Sequence, residues 1–338
     1  MSSVQDVGIM SWGVYLPPGY HDSAYMAQAT GIAEEVIQAK FGLRRKHKAG
    51  ADEHISDMAE AAARAAIKAA DIDPDRIDTV IYYGSEYKDY PLWNTAAKIQ
   101  HMVGARNAFS FNIMALCASG IVAMKVAKDM LRADPYIKTV LMVAASREAD
   151  LINYHNERAR FMYNFADGAA AMILQRGHSR NLILNSALIT DGSFADDVIV
   201  PTGGTKIPLT PQLVEEGMFM LDVRDPKAMK LRLDPISTPN FLRVIDLALN
   251  RSGYTREHIA FFGGTHMKRS IYEEIVTELG LPLNRVVYLE DHGHVQAADQ
   301  ILVLAEGTEK GILKEGDVAV LVGAGTGYTW GATVIRWG

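Results

Sequence analysis

An internal repeat constrains this chain more than any single motif. Ser56 to Ala70 (SDMAEAAARAAIKAA) is Ala-rich with polar residues on one side, and it leads through Asp71-Ile72-Asp73-Pro74 into the apolar run Thr79-Val80-Ile81-Tyr82-Tyr83-Gly84. That order reads as helix, turn and buried strand. It returns at an offset of roughly 180 residues: a helix-like Phe241 to Asn250, then Ser252-Gly253-Tyr254, then the apolar Ile259-Ala260-Phe261-Phe262-Gly263-Gly264.

Two more units recur with a similar shift. Ala108 to Asn112, then Cys117 and a helix from Ala118 to Leu131, is echoed by Arg285 to Leu289, His292-Gly293-His294 and a helix from Ala297 to Lys310. Lys138 to Ala145 is matched by Gly316 to Gly323, each a short β-branched run suited to a fully buried strand. The expectation is an α/β chain built from two related halves whose equivalent loops meet across a pseudo-twofold axis. Polar Gln175 to Arg180 separates strand-like Ala169 to Leu174 from Leu182 to Leu188, so the halves are expected over 1–178, carrying Cys117, and 179–338, carrying His266 and His294. Asp191 to Leu233, with Pro201, Gly203-Gly204, Pro208 and Pro211, is the loop-richest stretch and the expected cover of a binding site.

Composition excludes several classes. A single cysteine rules out an internal disulfide framework and a multi-thiolate zinc site, and it suits a reducing compartment, so the expectation is a cytoplasmic protein. No apolar run approaches the roughly 18 residues of a membrane span, and no secretory signal pattern opens the chain. The net charge of −6 argues against nucleic-acid binding. One basic cluster stands out locally: Lys40, Arg44, Arg45, Lys46 and Lys48 around Phe41-Gly42-Leu43 read either as a solvated charged segment or as a site for a phosphorylated ligand or an acidic partner.

Cys117 lies in Phe111-Asn112-Ile113-Met114-Ala115-Leu116-Cys117-Ala118-Ser119-Gly120, where a strand gives way to a helix. A helix N-terminus lowers a thiol pKa, and small residues let ligand and backbone approach, which suits a nucleophile. A buried small hydrophobe is the alternative reading of the same residue. His266 follows the second-half strand through Gly263-Gly264-Thr265, placed for presentation in a cleft or for a buried hydrogen bond. His266, His292 and His294 could chelate a metal in principle, but only Asp291 offers a neighbouring carboxylate, so acid/base and hydrogen-bonding roles are favoured and no metal is expected. Gly323 to Gly331 forms a Gly-rich turn after a strand, yet Ala332 to Trp337 reads as another strand and not the helix a dinucleotide site needs. Backbone N–H groups aimed at a ligand oxygen are the better use of that turn.

Together these residues resemble the β-ketoacyl-acyl-carrier-protein synthase III family of the thiolase superfamily, nearly end to end. Phe41-Gly42-Leu43-Arg44-Arg45, Ala115 to Gly120, Phe165-Ala166-Asp167-Gly168-Ala169-Ala170, Pro201-Thr202-Gly203-Gly204 and Gly325 to Gly331 carry the resemblance in order and spacing. It implies the duplicated thiolase fold in five layers, α-β-α-β-α, a homodimer, and acyl transfer from coenzyme A to Cys117. It also implies no permanently bound cofactor: the substrates are coenzyme A or phosphopantetheine thioesters, namely an acyl-CoA and a malonyl-CoA or malonyl-carrier protein. An oxyanion hole is implied at the N–H groups of Cys117 and of the Gly325-Thr326 turn. Lys40, Arg44, Arg45, Lys268 and Arg269 are the expected contacts for coenzyme A or an acyl carrier protein, and Tyr90, Leu92 and Trp93 lie in a region that resembles the acyl-pocket wall, with ordinary core or dimer packing the alternative reading.

The chain departs from the family pattern where the chemistry is decided. The family's His-Gln-Ala-Asn reads His266-Met267-Lys268-Arg269, and its Gly-Asn-Thr-Ser-Ala-Ala-Ser reads Gly293-His294-Val295-Gln296-Ala297-Ala298-Asp299, so His294 stands where a catalytic asparagine is expected. A tryptophan and an arginine that commonly hold the adenine end of coenzyme A correspond to Val36 and Lys40. The leading expectation is an acyl-Cys117 intermediate condensed with a decarboxylating malonyl thioester, with His266 and His294 stabilising the enolate. The alternatives are non-decarboxylating acyl transfer to an oxygen or nitrogen nucleophile, non-decarboxylating condensation or hydrolysis of the acyl-enzyme, and a catalytically weak subunit partnering a related synthase.

Overall fold

The repeat in sequence is a repeat in strand order. A computed structural model describes residues 6–338, and its main sheet joins β1 (Val7–Tyr15), β2 (Thr79–Tyr82), β3 (Phe109–Asn112), β4 (Thr139–Arg147) and β5 (Asp167–Arg176) to β6 (Leu182–Thr190), β7 (Ile259–Gly264), β8 (Val286–Val287), β9 (Val318–Gly325) and β10 (Thr329–Arg336). One half runs β3-β2-β4-β5-β1 and the other β8-β7-β9-β10-β6. In each, the first three strands are mutually parallel and the last two antiparallel to their neighbours. The halves touch through the pair Gly8 and Leu182.

Helices fill three layers. α1 (Ile55–Ala70) and α2 (Thr95–Val103) cover one side of the first half, and α4 (Pro226–Ser252) with α5 (Arg269–Glu278) covers the second. Between the two halves lie α3 (Ser119–Ala133) and α6 (Asp299–Glu309), each packed against strands of both. The result is the five-layered α-β-α-β-α arrangement expected. Both faces of the central strands are therefore covered, which is why β4 (TVLMVAASR) is buried at every position but its last.

The Ala-rich character of α1 has a geometric cause. Its Ala59, Ala62, Ala63 and Ala66 are fully buried, and a Cβ on Gly13 of β1 would lie 2.2 Å from the Ala62 carbonyl oxygen. Only small residues permit that approach.

Two element readings and one burial reading need correction. The second-half helix expected from Phe241 begins at Pro226, within the stretch read as loop: Asp225 caps it by accepting from the N–H groups of Lys227 and Ala228, and Pro226 fits the first turn. Pro235 and Pro239 inside the helix hide it from a sequence reading. Arg285 to Leu289 shortens to Val286–Val287, and the basic cluster is not wholly solvated, since Lys46 is fully buried. Among the described residues no helix is long and apolar enough to cross a membrane.

Candidate active site

Cys117 is presented by a strained turn. Leu116 takes φ +50°, costly for a side chain with a Cβ, and opens a short 3-10 turn, Leu116–Ala118, that runs into α3. The other half builds the same device: Gln296, φ +53°, opens Gln296–Ala298 ahead of α6. Even the hydrogen bonds correspond. Ala115 N–H donates to Ser119 Oγ at 2.7 Å, and Val295 N–H to Asp299 Oδ1 at 2.8 Å.

This symmetry brings the two turns together with their side chains facing. His294 Nε2 lies 3.0 Å from Cys117 Sγ, and His294 Nδ1 donates to Asp299 Oδ2 at 2.6 Å. Cys117, His294 and Asp299 are all buried. Burial alone would push the His294 pKa down, but Cys117 and Asp299 outweigh it and hold it well above the usual imidazole range. The protonated imidazole this favours stands within hydrogen-bond reach of Cys117 Sγ, where its positive charge would stabilise negative charge arising on the sulfur. The turn runs directly into α3: Ala118 N–H donates to the Ala115 carbonyl at 3.2 Å and Ser119 N–H to the Leu116 carbonyl.

The expected oxyanion site adjoins Cys117. A Cβ on Gly325 would fall 2.3 Å from the Ala115 carbonyl oxygen and 3.2 Å from Cys117 N, so β9 passes against the nucleophile turn with room for hydrogen only. Gly325 ends β9 and Thr326 begins the turn into β10.

His266 is buried beside this group but its ring faces elsewhere. Nε2 donates to the Gly42 carbonyl at 3.2 Å, Asn164 Nδ2 donates to Nδ1 at 2.9 Å, and the His266 N–H donates to Asp299 Oδ2 at 2.8 Å. Burial pushes its pKa down to about 4, against an opposing pull from the Gly42 carbonyl, so it is neutral with the proton on Nε2. His292 is not part of the group: it faces His47 at 3.4 Å and Glu306 at 3.2 Å.

Sequence reasoning missed Asp299 and Asn164. The signal for Asp299 was present, an acidic residue where the family motif ends in serine, but nothing local tied it to His294. Asn164 is linked to His266 only through the fold, because 102 residues separate them. Two further buried groups flank the site. Glu148 accepts from Ser85 Oγ at 2.7 Å and from Gln296 Nε2, with its pKa raised by burial. Lys46 Nζ donates to the Phe165 carbonyl at 2.6 Å, and the Phe165 ring packs edge-on against His294.

The basic residues expected to hold coenzyme A or a carrier are partly engaged already. Arg44 pairs with Glu290 and Asp291, Arg45 approaches Asp291 at 3.9 Å, and Arg269 pairs with Glu290 at 2.8 Å. Lys40 and Lys268 are exposed. The expected acyl-wall residues do not form a pocket within one chain: Tyr90 and Leu92 are exposed, Leu92 completely and with φ +52°, and Trp93 packs edge-on against Tyr90.

Known proteins resemble this chain nearly end to end. Residues 111–192 match the family model for 3-oxoacyl-[acyl-carrier-protein (ACP)] synthase III, and residues 249–337 match the model for the C-terminal part of the same family. A β-ketoacyl-[acyl-carrier-protein] synthase III of Roseiflexus castenholzii is 33% identical over 330 residues, covering 97% of each chain. The priming β-ketosynthase of a polyketide biosynthetic pathway superposes with TM-score 0.86 at 24% identity, over 100% of this chain and 98% of the other. A cysteine-to-serine variant of Xanthomonas campestris OleA, solved with bound lauric acid and lauroyl-CoA, superposes with TM-score 0.83 at 20% identity over 99% and 100%. Both structures show the same fold.

Proposed function

Because the chain belongs to the 3-oxoacyl-[acyl-carrier-protein] synthase III family, we propose that it is an acyltransferase that loads an acyl group from coenzyme A onto Cys117 and condenses it with a malonyl thioester, releasing carbon dioxide. The observation that carries this reading is the 3.0 Å approach of His294 Nε2 to Cys117 Sγ within a buried pair. The thiolate attacks the acyl-CoA carbonyl, and the N–H groups of Cys117 and the Gly325-Thr326 turn receive the oxyanion. The C–S bond to coenzyme A then breaks, and the leaving thiolate takes the proton of His294.

In the second stage the malonyl C–C bond to the carboxylate breaks, carbon dioxide leaves, and the electron pair forms an enolate. Its carbon attacks the acyl carbonyl, the bond to Sγ breaks, and Cys117 is restored. The enolate oxygen needs a hydrogen-bond donor. His266 supplies Nε2–H, which a substrate oxygen takes over from the Gly42 carbonyl, and His294 is the second donor when protonated.

The proposal divides the chain at 178/179 and treats Lys40, Arg44, Arg45, Lys268 and Arg269 as the cationic approach for coenzyme A phosphates or an acyl carrier protein. It also makes the protein a cytoplasmic homodimer. Among the described residues β3 is the last strand of its half, with one edge unpaired; Phe109 on it, Met114 after it, and Tyr90 and Leu92 before α2 are exposed large apolar side chains. A second copy pairing along β3 covers them and seats Leu92 and Trp93 against the partner's acyl site. Incubation with an acyl-CoA and a carboxyl-labelled malonyl thioester tests the reading: labelled carbon dioxide appears only when both substrates and Cys117 are present, and its absence with every malonyl donor refutes condensation.

A further inference from the structure

The duplicated nucleophile turn shows what Asp299 does beyond folding. Ser119 and Asp299 occupy equivalent places, and each accepts the N–H four residues earlier, at 2.7 and 2.8 Å. A hydroxyl therefore suffices to close this turn. The carboxylate at Asp299 adds a second oxygen, and that oxygen takes Nδ1–H of His294 and the backbone N–H of His266. Placing a carboxylate where its exposure is zero is costly unless donors compensate, and here three do.

The bond to Asp299 fixes the His294 tautomer. With Nδ1–H committed, the neutral ring has only a lone pair on Nε2, aimed at Cys117. The asparagine that the family motif has at this place presents a donor in every state. Once coenzyme A has left with the proton of His294, the acyl-enzyme faces an acceptor nitrogen, which serves an O–H nucleophile better than an enolate oxygen.

We infer that Asp299 is a positioning residue that makes His294 a general base, giving the acyl-enzyme a second outlet: acyl transfer to a hydroxyl nucleophile, water or a small alcohol. This rests on the acyl-Cys117 intermediate proposed above. His294 Nε2 removes the proton of the hydroxyl as its oxygen attacks the acyl carbonyl, and the Cys117 and Gly325-Thr326 N–H groups hold the oxyanion. The carbonyl carbon–Sγ bond then breaks, the new C–O bond remains, and the proton on Nε2 stays paired with the Cys117 thiolate. No oxidant or cofactor is consumed. The titratable groups facing His294 are Cys117, Asp299, His266 and Glu148.

The experiment starts from protein acylated with an acyl-CoA, freed of excess reagent, and followed by intact mass without any malonyl thioester, in water alone and with added glycerol. The parent adduct decays to free acid, glycerol captures part of it as ester, and the rate rises with pH as one group loses its proton. Asp299→Ser, which keeps a hydroxyl for the turn as Ser119 does, and Asp299→Asn both retain the adduct at least about tenfold longer. An adduct equally long-lived in parent and both variants, or discharged only by malonyl thioester, overturns the inference and leaves the condensation reading standing. Failure of any acyl-CoA to form an adduct overturns both at their shared first step.

Discussion

His294 Nε2 lies 3.0 Å from Cys117 Sγ although 177 residues separate them, and Asp299 holds the other ring nitrogen at 2.6 Å. The pair exists because two copies of one turn, each opened by a residue at positive φ and leading into a helix of the middle layer, meet directly.

Replacing His294 with asparagine restores the family's residue but removes the imidazole that contacts Cys117 Sγ. Acylation of Cys117 is expected to slow by about 100-fold or more, while enzyme already acylated still decarboxylates malonyl thioester, now with a permanent amide donor. Stopped-flow acylation and carbon dioxide release measure the two steps separately. Equal acylation rates for His294→Asn and the parent would show that the imidazole does not activate the thiol.

Gly325→Ala places a methyl group 2.3 Å from the Ala115 carbonyl oxygen and 3.2 Å from Cys117 N. The turn must shift, and with it the oxyanion donors, so kcat is expected to drop ~100-fold with little change in KM. A loss confined to KM would place the oxyanion donors elsewhere.

Burial pushes the Lys46 pKa down to about 7, against the pull of Asp167, from 10.5 for a free lysine. Between those values the unfolded chain holds a proton that the folded chain lacks, so Lys46 makes stability rise with pH across that window and contributes no further change below it. Urea unfolding of the parent relative to Lys46→Met is therefore expected to gain up to about 1 kcal/mol per pH unit between about pH 7 and 9. A flat difference would mean the amine stays charged when buried. His266, with its pKa lowered to about 4, acts with the same sign at lower pH: stability falls as pH drops from its ordinary 6.5 toward 4.

Lys40 and Lys268 are exposed, whereas Arg44 and Arg269 already face Glu290 and Asp291. Reversal of Lys40 or Lys268 to glutamate is expected to raise KM for acyl-CoA by roughly 3-fold or more at low salt, with the effect fading as salt screens it. Arg44→Glu acts less through the ligand than through its broken pairs, seen as lower thermal stability. Salt-independent kinetics in both lysine variants would move the phosphate site away from this face.

The halves were legible because buried strands and the Ala-rich helix leave strong local patterns: Thr79–Tyr82 and Ile259–Gly264 fall where the repeat predicts them. The start of the long helix at Pro226 was hidden by its internal prolines. Cys117 and His294, which the fold brings to 3.0 Å, stood out from motif position, but the partners of His266 did not. Gly42 and Asn164 reach its ring from segments 224 and 102 residues away, a relationship that only tertiary packing creates. Lys46 read as surface charge because lysine is seldom fully buried, and its carbonyl partner on Phe165 lies 119 residues away.

The most direct test of the central claim is the intact mass of the protein after exposure to a mixed acyl-CoA panel, followed by peptide mapping and a malonyl thioester chase. A single acyl adduct on Cys117 is expected, absent in Cys117→Ala, that disappears with release of carbon dioxide and a β-ketoacyl product. An adduct of equal size in Cys117→Ala, or none in the parent protein with any acyl-CoA, would contradict it.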